Sequence, residues 1–205
     1  MSPSGVDRAL EAIDRLHADD PVCVEVDGRS VPRELLYARR MSAALARLEA
    51  SPSAALRLAV RAQHLCRWRI PRDAYPRTRA GYHRWRTELG ALHGRLARDA
   101  VLDAGLDAAT AERVEGLVRK RRLKSDPEAQ HLEDAACLVF LEHELEAFAQ
   151  SHERTQVLGI LRKTWVKMGD AGRREALRLP LSPTSRALVA EALRKQEGSG
   201  SAPRT

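Results

Sequence analysis

The chain has 205 residues, 43% hydrophobic and 31% charged, a balance that supports a folded core and excludes disordered and fibrous classes. A chain of this length buries roughly 70% of its unfolded surface and needs no metal or disulfide for stability. It has no apolar run of about 18 residues for a membrane span, and its three widely spaced cysteines (Cys23, Cys66, Cys137) form no CxxC, which excludes a disulfide scaffold or zinc cluster. The N-terminal MSPSGVDRALEAIDRL mixes acids and bases and lacks the apolar core of a signal peptide, so a cytoplasmic location with free thiols is expected.

In chain order the pattern reads as helices joined by short loops. Val6, Leu10, Ile13 and His17 recur at helical spacing and predict a first helix over 7–19, stopped by Asp20-Pro21. VCVEVDGR (22–29) alternates and ends in Asp-Gly, but with no partner strand in view it reads as an extended connection. Pro32 opens a second helix to about 49 that carries Leu35, Leu36, Leu45 and Leu48. Ser51-Pro52 starts a third, with Leu56, Val60 and His64 on one stripe. WRIPRDAYPRT (68–78) has two prolines and no helical period, so it reads as a structured loop.

Thr78 caps a long fourth helix with Trp85, Leu89, Leu92, Leu96 and Ala100 on one face, ended by Gly105. Asp107 opens a fifth through Arg121. Asp126-Pro127-Glu128 combines an acidic cap, proline at the first helical position and a second acid, and starts a sixth helix to about Gln150. A seventh spans about 153–168, and Ser182-Pro183 starts the last. The expectation is one all-α domain of about eight helices over residues 1–195, followed by a disordered tail over 196–205.

The formal net charge is +7, and its distribution is informative. Residues 61–86 hold eight arginines against Asp73 alone, together with Trp68, Tyr75, Tyr82 and Trp85. Arginine forks suit phosphate or sulfate, and aromatic planes stack bases. Arg79, Tyr82 and Arg86 share a face at the start of the fourth helix, where anions are favoured. The expected partner is therefore an anionic small molecule contacted by Arg67, Trp68, Arg72, Tyr75, Arg79, Tyr82 and Arg86. A nucleic-acid track is the less favoured reading, because the remaining surface is not basic. A solvated or internally paired arginine face is the plain alternative.

No Walker loop, GxGxxG, GxSxG or HExxH is present. His64, just before the basic loop, reads either as a hydrogen-bonded core histidine or as an acid/base group on a pocket floor. Asp134 falls on the face of Leu138 and Leu141, so it needs either a buried arginine partner or a ligand.

The segments PRELLYARRMSAALARL, RLAVRAQHLCRWRIPRDAYPRTRAGYHRWRTEL, RKRRLKSDPEAQHLEDAACLVFLE and ILRKTWVKMGDAGRREALRLPLSPTSRALV resemble a bacterial and fungal family, domain of unknown function 4202. More distantly, VRAQHLCRW and LEDAACLVF are similar in placement to segments of HD-domain phosphohydrolases. That resemblance implies an HD-like helical fold, His64 and Asp134 as catalytic groups, and His64, His93 and Asp134 as ligands of a divalent metal such as Mn, Mg or Fe. Tyr37 stands where that family has its first histidine, and Leu65 where it has the aspartate of its His-Asp pair. The resemblance therefore leaves two expectations: a phosphoester hydrolase, or a non-catalytic ligand sensor or protein-interaction domain.

Overall fold

A computed structural model of the chain describes residues 3–120 and 125–197. Among these the fold is all-helical apart from one hairpin, with ten α-helices: α1 (Gly5–Ala18), α2 (Arg33–Leu48), α3 (Ala54–Arg61), α4 (Arg79–Asp103), α5 (Ala108–Val118), α6 (Pro127–Val139), α7 (Leu145–Ser151), α8 (Arg154–Lys167), α9 (Asp170–Ala176) and α10 (Pro183–Glu197). The expected count of about eight missed two features. A π-helical stretch over Phe140–Glu144 separates α6 from α7 within the single helix expected to reach Gln150. The short α9, whose first turn begins after Gly169, has too few residues to show an apolar period. The expected helix end at Arg121 and the tail from residue 198 onward lie outside the described residues, while Gln196 and Glu197 still belong to α10.

The extended connection is a strand after all. β1 (Cys23–Val26) pairs antiparallel with β2 (Arg29–Pro32), Val26 opposite Arg29. Asp27 and Gly28 both have positive φ, 51° and 72°, the backbone of a two-residue turn whose twist matches the strands. RSVP lacks a strand-like alternation, so the partner became visible only through the pairing.

The helix starts follow their capping residues. Ser4 and Asp7 form a reciprocal capping box on α1. Thr78 accepts the Gly81 N–H at 3.1 Å, and Asp107 accepts that of Thr110 at 2.8 Å. Gly81 is required: a Cβ there would stand 2.2 Å from the Pro76 carbonyl oxygen, so only glycine lets the basic loop fold back on α4.

The chain divides into two compact units, Met1–Leu132 and Glu133–Thr205. In the first, α1, α2 and α3 pack on one another, α1 also meets α4, and α5 packs on α3 and α4. Its core includes Ile13, Met41, Leu56, Leu58, Leu65, Val101 and Leu117. In the second, α7, α8 and α10 pack together, with Leu138, Leu145, Val157 and Leu161 buried. No helix among the described residues is long and apolar enough to cross a membrane.

Candidate functional site

His64 does not continue the stripe of α3. The helix ends at Arg61, and the N–H groups of Gln63 and Leu65 take the carbonyls three residues back, Val60 and Ala62, at 3.4 and 3.2 Å. The backbone then turns left-handed at His64 (φ 63°) and again at Cys66 (φ 55°). Leu65 and Cys66 are driven fully into the core, which holds the turn. Left-handed backbone costs roughly 1–2 kcal/mol per non-glycine residue. Two such residues flanking one leucine place strain at the most chemically capable side chain of the unit.

The turn delivers the His64 ring into a polar cluster drawn from four elements. Tyr37 of α2 stacks on it, centroids 4.3 Å apart and planes 10° from parallel. Glu34, also on α2, places Oε2 3.3 Å from Nδ1. Arg67 places Nη1 3.0 Å from Nε2. His93 of α4 tilts toward it at 6.2 Å between centroids. His17 of α1 lies behind, its Nε2 3.0 Å from the Arg61 carbonyl.

Burial dominates the proton equilibria of these groups. His64 is held well below the ordinary imidazole value by desolvation, then by the charges of Arg67, Lys120 and Arg86. His93 is pushed down to about 3 by burial, with His64 and Arg67 adding to it. His17 is lowered by burial as well. Glu34 is raised by burial, with Arg67 and Arg33 partly opposing. The histidines are therefore neutral at pH 7, with Arg67 and the carboxyl of Glu34 directly against His64. His93 Nε2, His17 Nδ1 and Gln63 Nε2 are buried with no hydrogen-bond partner among the described residues, and buried polar atoms of that kind are uncommon.

The basic loop is folded around aromatic faces. Arg67 lies over the Trp85 ring at 5.2 Å, Arg72 over Trp85 and Tyr82 at 5.8 and 6.0 Å. Arg72 also closes the loop by donating to the carbonyls of Tyr75 and Pro76 at 2.9 and 3.1 Å. Trp85 is buried and donates its indole N–H to the Ile70 carbonyl at 2.9 Å. Tyr75 donates its hydroxyl to Glu88. Trp68 is half-buried in a short 3₁₀ turn. Tyr82, Arg79 and Arg86 stand exposed along the outer face of α4.

Of the residues expected from sequence, His64, His93, Arg67, Arg72, Tyr82 and Trp85 therefore form one contiguous network. Asp134 belongs to the second unit, 1% exposed, and its Oδ1 accepts the Gly169 N–H at 2.9 Å. A Cβ on Gly172 would meet its carboxyl carbon at 2.6 Å. Asp134 thus organises the start of α9. Glu133 pairs with Lys167 at 3.7 Å. Asp134 was expected to meet either a buried arginine or a ligand. Among the described residues of the first unit, Asp14 pairs with Arg61 at 2.6 Å and Glu88 with Arg84 at 3.8 Å.

The donor set around His64 is a poor match to a metal. Nδ1 faces Glu34, the Arg67 guanidinium cation lies against the ring within 3.4 Å of both nitrogens, and no group of three His, Cys, Asp or Glu side chains gathered for a metal occurs among the described residues. Glu34 is the residue of this cluster that sequence reasoning missed. An acid in the first turn of a helix reads as an ordinary dipole partner. The Glu34 backbone N–H donates to Asp20 Oδ2 at 2.9 Å.

Residues 7–189 match the family described as a domain of unknown function, DUF4202, and the chain belongs to that family. No curated protein and no solved structure matches the chain.

Proposed function

We propose that the first unit binds a small phosphorylated or sulfated molecule, such as a nucleotide, at the His64 cluster. The supporting observation is electrostatic. Arg67, Arg86 and Lys120 all act on His64, while Glu34 is the carboxyl placed directly against its ring. An incoming anion would be attracted by the charges of Arg67 and Arg86 beside the neutral His64 ring. Arg67 lies on the Trp85 face, which pre-orders its fork for a tetrahedral oxyanion, while Arg72 holds the loop around it. The exposed Arg79 and Arg86 supply charge at the rim, raising the on-rate and making binding salt-sensitive.

Two functions fit such a binding site. A phosphoester hydrolase, in keeping with the distant HD-like resemblance, would use His64 as the acid/base group. A ligand sensor would use the same contacts without chemistry. The deciding experiment is a thermal-shift grid of nucleotides, adenylyl sulfates and sugar phosphates, each with manganese or EDTA. A ligand at 100 times its Kd adds about 2.7 kcal/mol. Binding that survives EDTA and is lost in Arg67→Ala supports the reading, and Arg79→Ala with Arg86→Ala should weaken it further. Binding that requires manganese would overturn the metal-free site. No shift with any ligand removes the proposal. His64→Asn separates the two functions: a sensor keeps its ligand, and a hydrolase loses turnover. Asparagine suits this position because it tolerates left-handed backbone.

A further inference from the structure

The second unit has a cavity of its own, lined by α7, α8 and α10. Its volume is about 360 Å³, the scale of a small-molecule site. Val157, Ser185 and Leu188 are the buried part of its lining. Ser185 is the polar one, 3% exposed. Its backbone N–H donates to Ser182 Oγ at 3.2 Å, while its hydroxyl makes no hydrogen bond among the described residues. A buried hydroxyl in that state is uncommon, and a ligand in the cavity would satisfy it. Thr184 and Ser185 belong to the first turn of α10, so the positive end of a 15-residue helix meets the cavity. The Thr184 N–H has no backbone acceptor there.

The lining also holds one charge of each sign. Arg154, at the start of α8, pairs with Glu191 through Nη2, which leaves Nε and Nη1 as donors. Glu146, in the first turn of α7, has no ion-pair partner among the described residues, and Gln150 follows it by one turn on the same helix face.

We propose that this cavity binds a small zwitterion of the α-amino-acid type with an apolar side chain. The ligand carboxylate takes the Ser185 hydroxyl, the Thr184 N–H and the remaining donors of Arg154, all at the positive end of α10. The ligand ammonium donates to the Glu146 carboxylate and the Gln150 carbonyl oxygen. The apolar side chain rests on Val157 and Leu188. A dianion such as phosphate is disfavoured, because Glu146 repels it and Arg154 is already partly neutralised by Glu191. The cavity therefore takes a different class of ligand from the arginine-rich first unit.

The test is a titration of the ¹⁵N-labelled full chain with L-leucine, followed through the Thr184 and Ser185 amide signals and by calorimetry. Two analogues each remove one charge: 4-methylpentanoate lacks the ammonium, and 3-methylbutylamine lacks the carboxylate. Leucine should bind saturably and move both amides. Each analogue should bind about tenfold more weakly or worse, the loss of one charge-assisted hydrogen bond. Arg154→Gln should weaken leucine and leave 3-methylbutylamine unchanged, and Glu146→Gln should weaken leucine and leave 4-methylpentanoate unchanged. Both side chains are exposed, so these variants keep the fold. Ser185→Ala should weaken leucine as well; should it not fold, the two exposed variants decide. Equal affinity for leucine and for either analogue overturns the zwitterion. Inorganic phosphate moving the same amides as strongly as leucine overturns the selection against dianions. No saturable shift with leucine or either analogue removes the proposal. Each of these outcomes leaves the reading of the His64 cluster to its own test with Arg67→Ala.

Discussion

Acidification should destabilise the first unit through its buried histidines, and His93 provides the measurable case. In the unfolded chain its imidazole titrates near 6.5; in the fold it is held down to about 3. Below pH 6.5 the unfolded state takes up a proton that the folded state refuses, so stability falls as pH falls, and it continues to fall until pH approaches 3. From 6.5 to 5 is 1.5 units, each worth about 1.36 kcal/mol, so His93 alone costs about 2 kcal/mol at pH 5. His17, lowered in the same direction, adds to the loss. Glu34, whose value is raised, works against it, because the fold holds its proton more tightly. A comparison with His93→Gln isolates the one group. Gln suits a helix interior, and the other titrations are common to both proteins. Urea unfolding at pH 7 and pH 5, at equal ionic strength, gives the two differences by linear extrapolation. The wild type should lose about 2 kcal/mol more than the variant. Equal losses in both proteins would refute the account of His93 as a desolvated neutral imidazole.

Three further outcomes follow from the packing. Gly81→Ala places a Cβ 2.2 Å from the Pro76 oxygen; it should cost about 1–3 kcal/mol in urea unfolding, and by shifting the Arg72–Tyr75 loop it should weaken anion affinity in the thermal-shift assay. Asp134→Ala strands the Gly169 N–H and should cost about 1–3 kcal/mol, whereas Asp134→Asn, which retains an acceptor oxygen, should lose less; equal losses would show that the oxygen bonded to Gly169 is immaterial. Gly28→Ala, at φ 72°, should cost about 1 kcal/mol by equilibrium unfolding.

The helical class and most helix starts are local properties, and the sequence by itself determined them. Thr78, Asp107 and Asp126-Pro127 mark helix starts because a cap acts on N–H groups two or three residues away. The clustering of arginines with aromatics in 61–86 is likewise visible without coordinates. Tertiary contacts decided the rest. β2 exists because β1 lies opposite it across an Asp-Gly turn. His64 leaves its helix because Leu65 and Cys66 are taken into the core, and this energy outweighs the i→i−4 bonds a continued helix would gain. Glu34 becomes a site residue, and Asp134 a brace for α9, through partners distant in the chain: Asp20 and His64 for the first, Gly169 and Gly172 for the second. Local periodicity records which face of a helix is apolar. Which buried polar group meets which partner depends on the packing of separate helices, a long-range arrangement that no short window of residues encodes.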